Sequence, residues 1–276
     1  MSLAATPSAK ANAAAKRAAI EVAGLNVTYR GAKGPVTAID ALDLTIASGS
    51  FVSVLGPSGC GKSTLLRIAA GLMPATSGSM RVLGEVVRGP RRDVGIVFQQ
   101  PTLLPWRTVL DNVLVPARTL RLEPVAAHKR ALSLIELVRL NGFENNYPHE
   151  LSGGMQQRVG LARALVHEPD VLLMDEPFAA LDALSREKMA LELLDFWSQS
   201  ARTVMFITHG IQEAVFLSDR VVLLSPRPAR VLEDIVIDLR RPRTLETLVL
   251  PRFAAYCDSL RRALFLASGE TVSLAS

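Results

Sequence analysis

Hydrophobic residues recur along this chain in three patterns, and each predicts a different kind of element. From Glu21 to Ile46 the period is near two: Val22, Leu25, Val27 and Tyr29, then Ile39, Leu42, Leu44 and Ile46, broken by Gly31-Ala32-Lys33-Gly34-Pro35. Alternation around a turn-rich break predicts antiparallel strands. Phe51–Leu55, Val171–Met174, Thr203–Ile207 and Val221–Leu224 are short continuous apolar runs, the mark of parallel strands buried on both faces. Met80–Val87, Val94–Phe98 and Val231–Leu239 add further strand predictions. Helical spacing marks Leu65–Ala70, Val109–Leu120, Val125–Leu140, a segment running through Val166, and Leu184–Trp197, with Glu123-Pro124 placed to start the third. The last helix is predicted over Leu245–Leu266, around Pro251.

No strand signal interrupts residues from Pro101 to about His167, so that stretch reads as an inserted helical subdomain. The expected organisation is an N-terminal arm over residues 1–20, a main domain over 21–240 and a C-terminal helical extension over 241–276. The arm, rich in Ala with Lys10, Lys16 and Arg17, is expected to be disordered or a frayed helix. The fold class is α/β: a parallel core sheet, an antiparallel β subdomain and the α-helical insertion.

Chemistry gathers where the apolar runs end. Phe51–Leu55 leads into Gly56-Pro57-Ser58-Gly59-Cys60-Gly61-Lys62-Ser63-Thr64, which opens a helix. Its glycines let successive N–H groups and the helix N-terminus converge on a phosphate. Lys62 adds a point charge, and Ser63 puts a hydroxyl where a phosphate-bound Mg²⁺ needs an oxygen ligand. Strand, loop, lysine, hydroxyl and helix in that order favour a phosphate-binding loop over a plain surface turn.

Val171–Met174 ends in Asp175-Glu176-Pro177, two adjacent carboxylates of which one can assist Mg²⁺ and its neighbour can polarise water. Thr203–Ile207 ends in Thr208-His209, near the same predicted edge. Leu151-Ser152-Gly153-Gly154-Met155-Gln156-Gln157-Arg158 is a second serine-glycine helix start, readable as an ordinary N-cap or as a second phosphate-facing terminus. Tyr29 is either a strand aromatic or a stacking partner for a purine base, and spacing does not separate the two. Leu103-Leu104-Pro105-Trp106 is an apolar loop suited to docking if exposed. Arg81, Arg88, Arg91 and Arg92 read as a solvated basic face, and Arg240, Arg241 and Arg243 as a solvated joint.

Composition narrows the class. The chain has 276 residues, 49% hydrophobic and 5% aromatic, enough to bury a proper core and inconsistent with a disordered or fibrous protein. A net charge of +5 permits anionic membranes, nucleic acid or nucleotides and selects none of them. The two cysteines, Cys60 and Cys257, make no disulfide framework and fit a reducing compartment. No apolar segment reaches bilayer-spanning length and the N-terminus lacks a secretory apolar core, so a cytoplasmic protein is expected unless a partner brings it to a membrane.

Taken together the motifs resemble the ATP-binding subunit of ABC transporters, over nearly the whole chain after residue 20. Gly56–Thr64 is similar to Walker A, Gln99 to the Q-loop, Leu151–Gln157 to the family signature, Val171–Pro177 to Walker B with its following glutamate, Ala180-Leu181-Asp182 to the D-loop, and His209 to the switch histidine. Leu103–Trp106, Met155 and Met174–Phe178 further resemble the nitrate, sulfonate and taurine importer branch. Ala179 and Ala180 depart from the glycine and serine often found before the D-loop, with little consequence expected for hydrolysis.

The resemblance implies a P-loop NTPase fold with a RecA-like core. It also implies head-to-tail pairing of two chains, with ATP held between Gly56–Thr64 of one and Ser152-Gly153-Gly154, with Asp182, of the other. Tyr29 would stack on adenine, and Lys62 would bind the β- and γ-phosphates. Ser63, Gln99 and Asp175 would hold Mg²⁺, Glu176 would orient or deprotonate water, and His209 would contact the γ-phosphate. The implied partners are a second ATPase subunit, membrane permease subunits and an extracytoplasmic solute-binding protein, at the cytoplasmic face of the cell membrane. A soluble ABC ATPase acting on nucleic acid or ribosomes is the alternative, disfavoured by the single motif set and the lack of a heptad insertion. A dead scaffold is disfavoured by an intact Lys62, Asp175, Glu176 and His209.

Overall fold

The computed structural model describes residues 17–31, 34–179, 181–200 and 202–267. Ala32, Lys33 and Ala180 of the motifs above, and most of the proposed N-terminal arm, lie outside them. The arm ends earlier than expected: β1 spans Ala18–Gly31, with Ala19 and Ile20 already buried. It pairs antiparallel with β2 (Gly34–Ala47) and with β4 (Ser77–Val82), which carries the two-residue β5 (Glu85–Val86). These four form an antiparallel sheet in the order β2-β1-β4-β5.

The second sheet holds β3 (Phe51–Leu55), β6 (Val94–Val97), β7 (Val171–Asp175), β8 (Thr203–Thr208), β9 (Arg220–Leu224) and β10 (Val231–Val236), in the order β10-β9-β3-β8-β7-β6. All neighbours are parallel except β10, the antiparallel edge strand. Side-chain alternation explains why these strands read as unbroken apolar runs. Leu172 and Met174 of β7 enter a core shared with the helices, while Val171 and Leu173 enter one shared with the antiparallel sheet. Phe51 and Val52 of β3 divide in the same way, so the parallel sheet is the wall between two cores.

Helix α1 (Lys62–Ala69) follows β3, and the insertion contributes α2 (Val109–Val113), α3 (Val115–Thr119), α4 (Pro124–Leu137) and α5 (Gly153–Leu165). The expected helix over Val109–Leu120 is therefore two, with Pro116 in the first turn of the second. Pro124 opens α4 and the Glu123 carboxylate accepts from the Val125 and Ala126 amides at 2.9 and 2.6 Å, as an N-cap should. Helices α6 (Ala183–Ser200), α7 (Ile211–Leu217) and α8 (Pro251–Ala267) complete the helical side. Pro251 starts α8 instead of kinking a longer helix, and a 3₁₀ turn over Leu245–Val249 precedes it.

The three-arginine joint is not solvated. Arg243 is 4% exposed and donates to the carbonyls of Val215 and Phe216 at 3.0 and 2.8 Å, near the end of α7. Burial pulls its pKa down to about 10. Arg241 pairs with Asp219 at 2.8 Å and lies 4.2 Å over the Trp197 ring. Only Arg240 of the three is exposed. Among the basic residues near β5, Arg91 is likewise enclosed, chelated by Glu85 at 2.8 Å and Asp93 at 2.6 Å. No helix among the described residues is long and apolar enough to cross a membrane.

Candidate functional site

Parallel strands bring their carboxyl ends to one edge of a sheet, and loops leaving that edge can share a crevice. Here Leu55 is level with Thr208, Ile207 with Asp175, and Met174 with Val97. The register therefore gathers the phosphate loop after β3, His209 after β8, Asp175-Glu176 at β7 and Gln99 after β6. A cavity of about 380 Å³ lies at this edge, lined by Tyr29, Ala38, Ser58, Gly59, Gly61, Lys62, Ser63, Thr64, Gln99, Glu176 and Arg227.

Six of the nine loop residues line that cavity. Gly56 and Pro57 act from behind: their carbonyls accept from the buried Lys62 Nζ at 2.7 and 2.9 Å. Cys60 turns into the core at 1% exposure, and burial pushes its thiol pKa up, so only its backbone is available to a ligand. Gly61 sits at φ +127° at the start of α1, which has no side-chain cap, so the helix leaves its first N–H groups for a ligand. Tyr29 is exposed at the cavity mouth, its hydroxyl sharing a hydrogen bond of 2.9 Å with Thr64 Oγ1. The side chain remains 40% exposed.

Ser63, which lines the cavity, donates through Oγ to the buried Asp175 Oδ1 at 2.9 Å, and this hydroxyl and carboxylate form a hard-oxygen pair suited to a divalent cation. Burial raises the Asp175 pKa, the Ser63 hydrogen bond lowers it, and the neighbouring Glu176 charge raises it further. Glu176 Oε2 lies 3.1 Å from His209 Nδ1 and accepts from Gln99 Nε2 at 3.5 Å. The Glu176 backbone is at φ +44°, a left-handed conformation that a non-glycine residue adopts at a cost of about 1–3 kcal/mol. Behind His209, Glu213 accepts from Thr208 at 2.6 Å, and its burial raises its pKa.

Ser152, Gly153, Gly154 and Asp182 are not brought to this cavity. Ser152 caps α5, its Oγ accepting from the Met155 amide at 3.3 Å. Asp182 accepts from the Ser185 amide at 3.0 Å at the start of α6, and these hydrogen bonds lower its pKa. The two turns meet each other instead: a Cβ on Gly154 would lie 3.0 Å from Leu181 Cδ2, a tight approach to which the leucine methyl would have to yield. The α5 helix is tied back to the Gln99 segment, because Gln157 donates to the Phe98 carbonyl at 3.1 Å and Arg163 to those of Pro101 and Thr102 at 2.5 and 3.0 Å. Beyond that segment the buried Asn112 side chain grips Leu104 and Arg107 backbone groups, and Trp106 stands 70% exposed.

Two cavity residues have no place in the motif pattern, Ala38 and Arg227. Arg227 lies 168 residues from the glycine whose carbonyl it contacts. The only sequence signal for it is the run Ser225-Pro226-Arg227-Pro228-Ala229-Arg230 between two strands.

A glycine loop opening a helix at the carboxyl edge of a parallel sheet, faced by an acidic pair from a neighbouring strand, defines a P-loop nucleoside triphosphatase. A family model described as ABC transporter matches residues 39–179. The chain belongs to the ABC transporter ATP-binding family and is an ATPase. An uncharacterized ABC transporter ATP-binding protein of Methanocaldococcus jannaschii is 52% identical over 211 residues, 75% of this chain and 78% of its own. The taurine import ATP-binding protein TauB of Burkholderia pseudomallei is 46% identical over 217 residues, 79% of this chain and 84% of its own. Among solved structures, the dimer of a bacterial ABC transporter cassette has a TM-score of 0.73 at 32% identity, covering 80% of this chain and all of that one. A dimeric post-hydrolysis cassette with bound ADP and Pi has a TM-score of 0.72, also at 32% identity.

Proposed function

We propose that this chain hydrolyses ATP to energise an importer of a small solute of the nitrate, sulfonate and taurine kind, working as a head-to-tail pair. One observation carries the reading: Ser152-Gly153-Gly154 and Asp182 do not line the cavity bounded by Tyr29, the phosphate loop, Gln99 and Glu176. Each chain thus has an open phosphate site and a separate glycine-rich helix start that a second chain can use. The similarity to a taurine import subunit and to dimeric cassettes supports this arrangement.

In the proposed site the phosphates of ATP meet the N–H groups of the loop and draw Lys62 Nζ from the Gly56 and Pro57 carbonyls. Ser63, Asp175 and Gln99 would hold Mg²⁺ through their side-chain oxygens, and the ion would supply charge neutralisation to the bound phosphates. Glu176 orients the attacking water and accepts its proton, held by His209 and Gln99 on the same carboxylate oxygen. His209 then reaches the γ-phosphate, and the half-exposed Tyr29 ring stacks on adenine. Phosphoryl transfer depends mainly on positioning and charge stabilisation, so a separated chain turns over slowly and pairing is the switch.

Trp106, exposed on a loop held by Asn112, is the proposed contact with a membrane permease. That contact keeps the chain at the cytoplasmic face of the membrane, with an extracytoplasmic solute-binding protein on the far side. The experiment is affinity purification of the tagged chain from detergent-solubilised native membranes, wild type beside Trp106→Glu. A polytopic permease in stoichiometric amount, lost in the folded variant, is expected. Soluble or ribosomal partners alone would overturn the importer reading.

A further inference from the structure

A loop that turns its N–H groups toward an anion must turn carbonyls the other way, and those carbonyls need donors if the loop is to keep its shape. In this phosphate loop Lys62 serves the Gly56 and Pro57 carbonyls, inside the same nine residues. The Gly59 carbonyl is served from far along the chain. Arg227 donates to it through Nε at 3.1 Å and through Nη2 at 2.7 Å. Gly59 is at φ +72°, open to alternative peptide orientations that a side chain would forbid, so its carbonyl needs an external restraint.

The loop that carries Arg227 is itself braced. Ser225 donates through its amide to the Arg230 carbonyl at 2.9 Å and through Oγ to the Pro228 carbonyl at 2.8 Å. Ala229 exchanges backbone hydrogen bonds with β2, donating to Ala38 at 2.9 Å and accepting from Asp40 at 3.1 Å. Arg230 pairs with the Asp40 carboxylate. The loop between β9 and β10 is thus fastened to the antiparallel sheet on one side and to the phosphate loop on the other. Its guanidinium lines the same cavity as Lys62.

We propose that Arg227 is a positioning residue for nucleotide binding. It holds the Gly59 carbonyl outward, fixing the peptide whose N–H, on Cys60, closes the loop onto the Pro57 carbonyl at 3.3 Å, and adds a second positive charge at that end of the cavity. The proposal rests on the ATP site described above and is independent of the importer reading.

The test measures ADP and ATP affinity of the purified full chain, together with steady-state ATPase kinetics, for wild type, Arg227→Ala, Arg227→Lys and Lys62→Ala. A charge-assisted hydrogen bond of this exposure predicts a loss of about tenfold in affinity for Arg227→Ala. ADP and ATP should suffer alike, because the restraint acts on the loop and not on the γ-phosphate. Most of the loss should appear in KM, the smaller part in kcat. Arg227→Lys, which restores charge and one donor, should recover part of it. Lys62→Ala affinity loss with wild-type affinity in Arg227→Ala would overturn the role of Arg227 and leave the site standing. Unchanged affinity in both variants would overturn the site and the role together.

Discussion

The chain has two glycine-rich helix starts, and they are finished to different degrees. At the start of α1, Gly61 provides no side-chain cap, a cavity of about 380 Å³ lies in front, and Lys62 and Arg227 stand beside it. At the start of α5 the Ser152 hydroxyl already satisfies one amide, Gly153 is exposed, and Gly154 is packed against Leu181. Both termini carry the partial positive charge of a helix end. Only the first has walls. The difference teaches that a phosphate site needs enclosure as well as polarity, and in the proposed pairing the second terminus would acquire its enclosure from another chain.

The most severe way to break this comparison is Gly153→Asp. Nothing lies within 4 Å of a Cβ at that position, so the separated chain should fold, and an acidic residue in the first turn of a helix is favourable. The same charge would face a triphosphate presented by a partner. ATP affinity of the isolated chain should stay near wild type while turnover falls by roughly 10²-fold or more, as for other losses of transition-state electrostatics. Mixing this variant with Lys62→Ala should restore turnover absent from either alone, since one intact phosphate loop then meets one intact Ser152 turn. Equal loss of ATP affinity in the isolated variant would merge the two termini into one site.

Asp175→Asn sharpens the contrast at the end of β7, where the buried carboxylate accepts from Ser63. The Asp175 carboxyl is raised mainly by burial, so its folded pKa exceeds its unfolded one. With that sign, its stabilising contribution is present below the unfolded pKa and is lost as pH rises through the folded pKa. Buried Glu213 adds a fall of the same sign in both proteins. Without nucleotide, Asp175→Asn should therefore melt higher than wild type at neutral pH, with the gap closing toward acid, and it should lose turnover. Thermal melts across pH 3–8 check this, and a variant that melts lower throughout would remove the desolvated carboxylate from the account.

Ser152→Ala is the mildest of the three. It removes an N-cap and should cost about 1 kcal/mol of stability in a denaturant titration. No equivalent side-chain cap exists at Gly61 to be lost. A cost near zero would mean that the α5 terminus is open after all, like its counterpart.

How much of this was legible depends on where each signal resides. The phosphate loop, the acidic pair and His209 are local sequences at strand ends, and a parallel sheet returns its strand ends to one edge whatever the strand order. Arg227 was not legible because its partner lies across the fold and its contact is a backbone carbonyl, which has no sequence signature. Arg243 was misread for the same reason. Three arginines in four residues suggest solvent, yet the carbonyls near the end of α7 required donors, and a guanidinium supplied them. Pro251 was ambiguous because proline can start a helix or break one, and only the preceding 3₁₀ turn decides between them.

The two tryptophans of the chain give it a built-in pair of optical reporters. Trp106 is 70% exposed and Trp197 is 9% exposed beneath Arg241. One indole is open to aqueous quenchers and emits from a polar environment; the other is shielded at the junction between the core sheet and the C-terminal extension. Light from a single unlabelled chain therefore reports separately on what touches the Trp106 loop, the proposed docking surface, and on whether the C-terminal extension stays packed on the core.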